Sequence, residues 1–341
     1  MSEQSTQTIT PAGPAPEERF GRSLGDAIAI NGERFGLLIL LALVCVVFSV
    51  AEPSTFPTTE NLRGMLSSNS VLAMLAVATV IPFVVGQFDL SLGAILGMAS
   101  VLAGTLMSDL GWALVPSGLA AVGLGALVGM VNGFVVARIG VNSIITTLGT
   151  ASVLAGLVLW VSGGETIATG ISRTLVDFGV NNWLGLPRVV FVAAVVAILV
   201  AYLLRQTPLG RSFQAMGSNE RAATLIGLPV RRYTILAFVL GGALAGFAGL
   251  IQTGVAGSAN PNYGPNLLLP SLTAVFLGAT TIRPGEYNVA GTLIAVAFVA
   301  VSISGLALMG APAWAQPVYT GVALVSAVAI STLIRRRRAG A

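Results

Sequence analysis

One carboxylate, Asp89, interrupts a stretch that is otherwise free of charge from residue 64 to residue 108. It lies in the segment Gly86, Gln87, Phe88, Asp89, Leu90, Ser91, Leu92, Gly93. A lone acid in that position has two roles open to it. It can cap the following helix, whose first N–H groups and positive dipole end favour a carboxylate. Or, with Ser91 beside it and flexible glycines at Gly86 and Gly93, it can serve a polar path or its gate. A second polar group, Asn132, Asn142, Ser143, Thr146 and Thr147, clusters around a later connection. Those side chains either line a translocation route or hydrogen-bond between helices. The third chemically distinctive segment is residues 205–232, which is rich in Arg and small residues and carries Asn219, Glu220, Ala222, Ala223 and Gly227.

Other chemistry is excluded by what is missing. The sequence has no His, no Lys and a single cysteine, Cys45. A His/Cys zinc site, a Ser-His-Asp triad and a disulfide framework are therefore ruled out. Without Lys there is no Walker-type phosphate loop, so any ATP must be hydrolysed by another chain, and no cofactor of this chain's own is expected. Intramembrane charge normally marks ion and proton pathways, and its near absence argues against a self-powered carrier. Only Asp89, Asp109 and Arg138 fall between closely spaced apolar runs, each placed to sit at a helix end.

These residues must be positioned by membrane helices. Of 341 residues, 55% are hydrophobic and 9% charged, against about 25% charged in ordinary soluble domains. A helix rises 1.5 Å per residue, so about 20 apolar residues cross a hydrocarbon core of roughly 30 Å. Charge-free runs occupy residues 35–51, 64–88, 90–108, 110–137, 139–164, 189–204, 233–282 and 287–334. The last two are long enough for two spans each, divided at residues 257–265 and 310–312. Ten helices are expected, in an all-α polytopic membrane protein. A barrel would need alternating polarity, and residues 189–204 are apolar on every face.

Fourteen Arg residues fall on one side of such a ten-span chain, and three, Arg63, Arg173 and Arg188, on the other. The positive-inside rule then places both termini in the cytoplasm. Residues 1–34 read as a disordered cytoplasmic tail, residues 35–334 as one transmembrane domain, and residues 335–341 as a basic tail. Small residues four apart, Gly125 with Gly129, Gly242 with Gly246 and Ala245 with Gly249, suit close helix packing. Within the cytoplasmic segment 205–232, Ser218 or Asn219 can cap a helix, Glu220 favours its first turn, and Pro229 stops it after about two turns. Ala222, Ala223 and Gly227 give that helix a narrow body, suited to a groove on a partner.

Residues 219–227 resemble the Glu-Ala-Ala…Gly loop of ATP-binding-cassette importer permeases, and most closely the ribose-type branch. Arg211, Gly217, Asn219, Ala222, Ala223 and Gly227 occupy the matching positions. Residues 86–93, 129–134, 146–150, 244–249 and 272–280 are similar to further segments of that branch, in order, over roughly residues 60–330. Gln87, Phe88 and Ala279 depart from its pattern, and Arg283, Pro284, Gly285, Glu286 and Tyr287 replace its Gly-Gly-x-Gly. These departures suggest a subgroup with its own substrate. The resemblance implies a bacterial inner-membrane permease that imports a monosaccharide or similar polar solute. It also implies a second permease subunit in a homo- or heterodimer, two ATP-binding cassette subunits or one fused tandem ATPase, and an extracytoplasmic substrate-binding protein. Surrounding lipid is expected and nucleic acid is not. The same machine carrying a nucleoside, a furanone signal or a branched-chain amino acid, or a stand-alone channel, are the alternatives.

Overall fold

The charge-free runs become helices, and the polar breaks between them become their caps. The computed structural model describes the backbone over residues 24–339 and side-chain surroundings over residues 35–333. Thirteen helices are present among the described residues: α1 Leu24–Ala51, α2 Thr59–Val84, α3 Leu92–Ser108, α4 Leu114–Phe134, α5 Ser143–Ser162, α6 Arg173–Val180, α7 Arg188–Gln206, α8 Pro208–Ser218, α9 Glu220–Leu225, α10 Val230–Ala256, α11 Tyr263–Gly278, α12 Val289–Leu308 and α13 Ala315–Ala339. A π-helical turn, Val135–Ile139, prolongs α4, and a two-stranded antiparallel hairpin pairs β1 Asn182–Trp183 with β2 Leu186–Pro187.

Among the described residues, seven segments are long and apolar enough to cross a membrane: α2, α4 with its prolongation, α5, α7, α10, α12 and the Ala315–Leu333 part of α13. The apolar parts of α1 and α3, Phe35–Ala51 and Leu92–Ser108, are shorter. The molecule is therefore an all-α polytopic membrane protein. Residues 1–23 of the expected tail lie outside the described residues, and α1 already runs helical from Leu24, ahead of the apolar run. At the other end, α13 continues through Arg335–Arg338, whose side chains lie outside the described set.

The core sits around α2, where every residue from Ser70 to Val84 is buried. Helices α7, α10, α11 and α12 surround it. The tightest packing is between α4 and α10. A Cβ added at Gly125 would overlap the carbonyl of Gly242, one at Gly242 the carbonyl of Gly125, and one at Gly246 the carbonyl of Ala121. Gly249 meets α3 in the same way, at the carbonyl of Leu96. In lipid there is little hydrophobic gain from helix association, so close backbone approach supplies van der Waals contact instead. The four-residue spacings in the sequence therefore serve packing within this chain. In contrast, α5, α7 and α13 leave large side chains exposed on their outer faces, among them Trp160, Ile198 and Val325.

The fold has two chemically distinct ends. At one, Arg63 at the start of α2 donates from Nε to the Gly185 carbonyl of the hairpin at 2.8 Å. Arg188 there lies 5.3 Å from the centre of the Trp183 ring. Also at this end, Ile167 and Ala259 exchange backbone hydrogen bonds of 3.0 and 2.9 Å. At the other, α8 packs against the end of α2. The 26 residues of α2 separate the two ends by about 39 Å.

Candidate functional site: a buried polar chain and the loop that seats on it

Helix α2 stops at Gly86, whose φ of +86° favours glycine, and Gln87 N donates back to the Pro82 carbonyl at 2.9 Å. The chain then runs without helix to Ser91. Such backbone in the interior needs other partners for its polar groups, and α5 supplies them. Phe88 N donates to Ser143 Oγ at 3.2 Å and Leu90 N to Thr147 Oγ1 at 3.1 Å. Thr147 Oγ1 in turn lies 3.4 Å from the Phe88 carbonyl and 2.8 Å from the Ser143 carbonyl.

Asp89 is fully buried. Its Oδ1 accepts from Ser91 N at 2.9 Å and from Ser91 Oγ at 2.6 Å. Ser91 occupies the cap position of α3 and makes no side-chain cap bond. Asp89 thus closes a turn onto Ser91 and does not reach the free N–H groups of α3. Ser91 Oγ accepts from Asn132 Nδ2 at 2.9 Å, and Asn132 Oδ1 accepts from Thr150 Oγ1 at 2.6 Å. A line of four polar side chains therefore joins the α2–α3 connection to α4 and α5. Asp89 Oδ2 has no hydrogen-bond partner among the described residues.

The long loop between α7 and α10 seats on this connection. Thr207 Oγ1 accepts from Gly210 N at 3.1 Å, and Pro208 supplies the first turn of α8, since it lacks the N–H that would go unpaired there. Gly217 near the end of α8 rests on the Val84 carbonyl with no room for a Cβ. Asn219 Oδ1 accepts from Ala222 N at 3.0 Å and starts α9. Gly227, at φ +84°, ends it, with Leu228 N donating to the Ala223 carbonyl at 3.1 Å. Ala223 faces the chain's own interior at 2% exposure, whereas Leu225 and Ile226 stand out at 87% and 75%.

Over residues 61–328 the chain matches the family described as branched-chain amino acid transport system / permease component. That is most of its length. The chain belongs to this permease family. It is 33% identical over 302 residues to the ribose import permease protein RbsC of Escherichia coli, covering 87% of this chain and 93% of that one. It is 31% identical over 297 residues to the autoinducer 2 import system permease protein LsrC of Salmonella choleraesuis, covering 87% and 85%. It is 30% identical over 338 residues to the L-arabinose ABC transporter permease protein AraH of Azospirillum brasilense, covering 99% and 97%. No solved structure matches it significantly.

In this permease, Asp89, Ser91, Asn132, Ser143 and Thr147 come together in one buried cluster. Asn142 and Thr146 do not join it. Asn142 caps α5, accepting from Ile144 N at 2.9 Å, and Thr146 Oγ1 donates to the Asn142 carbonyl at 3.0 Å; Asn142 is exposed and Thr146 half-buried. Thr150 completes the chain and is absent from the candidates drawn from sequence. Its signal was the spacing Ser143, Thr147, Thr150, which puts three hydroxyls on one helix face. In the loop, Arg211 is exposed on α8, and Glu220 faces a groove shared with Arg138, Arg231 and Arg232. Ala223 departs from expectation: it packs inward, so the outward face of α9 is built from Ala222, Leu225 and Ile226 instead. The helix is also shorter than two turns, because Gly227 ends it before Pro229 is reached.

Proposed function

We propose that this permease is the membrane subunit of an ATP-driven, binding-protein-dependent importer of a monosaccharide in a bacterial inner membrane. The likeness to the ribose and arabinose permeases, in order and over most of each chain, supports the substrate class. The observation that carries the mechanism is the seat of Gly217 on the Val84 carbonyl. It gives a solvent-exposed loop a rigid hold on the connection that carries Asp89. On this reading ten helices span the membrane, α1, α2, α3, α4, α5, α7, α10, α11, α12 and α13, with both termini and the α8–α9 loop in the cytoplasm. A cytoplasmic ATPase pair or fused tandem ATPase docks on α9 through Leu225 and Ile226, flanked by the Arg138, Arg231 and Arg232 groove.

ATP is bound and hydrolysed on those partners. A second permease subunit packs on the exposed helices α5 and α13, and a substrate-binding protein docks at the hairpin end. When the ATPases close, α9 and α8 move together, and Gly217 shifts the α2–α3 connection. Ser143 and Thr147 pass that movement to α5. A furanone signal is the second reading, favoured by the 31% identity to an autoinducer 2 permease. The test is reconstitution with the partner ATPase and binding protein in liposomes, followed by uptake of a panel of labelled pentoses, hexoses and furanones. ATP-dependent accumulation of a pentose or hexose is expected. Accumulation of none of the sugars refutes the monosaccharide assignment.

A further inference from the structure

The segment in which this chain departs from the ribose-type pattern, Arg283 to Tyr287, has no part in the mechanism above, yet it is held with unusual care. Ile282 just before it has φ +61°, a strained conformation for a β-branched residue. Gly285 N donates to the Ala279 carbonyl at 2.8 Å, and Glu286 N to the Arg283 carbonyl at 3.0 Å. From the cap of α12, Asn288 Nδ2 reaches the carbonyls of Gly278, Thr281 and Glu286 at 3.3, 3.3 and 3.1 Å. Strain held in place by this many bonds marks a preformed surface.

That surface is one wall of a cavity of about 480 Å³, within the size range of small-molecule sites. The facing walls are the last turn of α7, with Arg205, and the end of α8, with Gly217 and Ser218. Two arginines, Arg205 and Arg283, thus line the cavity from separate elements. The single acid, Glu286, lies 3.8 Å from Arg283, and both are about half exposed. Arg205 has no ion pair among the described residues. An aromatic side completes the cavity, with the Phe83 ring 4.9 Å from Phe88 and 5.3 Å from Tyr287, centre to centre.

We infer that this cavity binds a phosphate-bearing polyol and that its occupant restrains the α8–α9 loop. Guanidinium forks match phosphate oxygens in geometry and charge, and the apolar ring faces suit the C–H face of a polyol. An occupant touching Ser218 and the Arg283 turn together ties α8 to the α11–α12 connection. Because α8 leads directly into α9, the bound anion would hold back the movement that drives transport. Two sources share this chemistry: a soluble sugar phosphate, the product of a kinase acting on imported sugar, and a phosphatidylglycerol headgroup. The sugar-phosphate source rests on the importer reading and on a cytoplasmic position for this end.

The test measures binding directly on the full-length permease in phosphatidylcholine nanodiscs by titration calorimetry with ribose 5-phosphate, inorganic phosphate and ribose. Expected is ribose 5-phosphate binding at least tenfold tighter than either of the other two. Arg205→Gln and Arg283→Gln should each weaken it tenfold or more. Glu286→Gln should strengthen it severalfold, a gain that misfolding cannot mimic. A lipid source would instead appear as phosphatidylglycerol retained in native mass spectra, lost in both Arg variants. Neither ligand bound, or binding indifferent to both substitutions, overturns the inference. In proteoliposomes carrying the partner subunits, ribose 5-phosphate loaded on the ATPase side should lower uptake severalfold in the native chain and less in Arg283→Gln. No uptake from unloaded vesicles would count against the importer reading and leave the binding result standing.

Discussion

The buried line from Asp89 to Thr150 makes a quantitative prediction at Asn132. Asn132→Leu keeps the volume and removes both hydrogen bonds, 2.9 Å to Ser91 and 2.6 Å to Thr150. Ser91 keeps its bond to Asp89, so its hydroxyl is not orphaned. Thr150 is only half-buried, and its hydroxyl can turn to its own helix. The loss is therefore smaller than the ~1–3 kcal/mol of a fully stranded buried group on each side. It is closer to the ~0.6–1.7 kcal/mol measured for hydrogen bonds between membrane helices. A double-mutant cycle of Asn132→Leu and Thr150→Val, read by equilibrium unfolding in mixed micelles, should give a coupling of about 0.6–1.7 kcal/mol. Uptake by Asn132→Leu should fall at unchanged protein level, because α4 no longer follows the α2–α3 connection, while α5 keeps its Ser143 and Thr147 bonds to it. Additivity of the two changes within about 0.3 kcal/mol, together with normal uptake, would refute the transmission argument.

Gly242→Val would drive a side chain into the Gly125 carbonyl, and overpacking of this kind costs about 1–3 kcal/mol; a lower melting temperature in detergent checks it. Leu225→Ser and Ile226→Ser should each weaken co-purification of the ATPase by about tenfold or more, since a buried Leu or Ile is worth about 1.5–3 kcal/mol. By contrast, Ala223→Leu should destabilise the permease itself, and loss of the ATPase from a stable Ala223→Leu protein alongside full retention by Leu225→Ser would reverse the assigned face. For topology, cysteines at Ser218 and Thr169 in a chain lacking Cys45 should be shielded from, and open to, impermeant thiol reagents in intact cells; labelling at Ser218 would invert the orientation. Thr169 is preferred to Gly170, where a Cβ would lie 2.6 Å from Ser108 Cα.

Much of this fold was legible because charge is so expensive in lipid. The edges of the charge-free runs fall within a few residues of α2, α3, α5 and α7; the polar break at residues 257–265 covers the α10–α11 connection and the first turn of α11, and that at residues 310–312 falls between α12 and α13. Of the two caps open in the sequence, Ser218 and Asn219, the structure uses Asn219. Helix α8 did not read out of the sequence, although Thr207 followed by Pro208 is a cap signal: the segment is polar, and its stability comes from Phe213 and Met216 buried against other helices. The inward turn of Ala223 depends on tertiary contacts; Asp89 closes its turn locally on Ser91, and only the link from Ser91 to Asn132 is tertiary. No local spacing encodes which side chain of another helix will donate to the serine beside a buried carboxylate. Likewise Arg205 and Arg283 stand far apart in sequence, and only the packing of α7, α8 and the α11–α12 turn brings them to one cavity.

The glycine contact between α4 and α10 also constrains how the chain is made. Helix α4 ends at Phe134 and α10 starts at Val230, so 95 residues are synthesised between them. At a ribosomal rate of about 5–20 residues per second, α4 waits roughly 5–20 s for its partner. Through that interval its Gly125, Gly129 and Gly133 face lacks the helix that will cover it, and α2 and α3 lack α10 as well. The nascent protein therefore needs a lipid or an insertase surface to shield this face. Slowing translation between codons 135 and 229 should increase the share of chains lost to membrane proteolysis before the bundle closes.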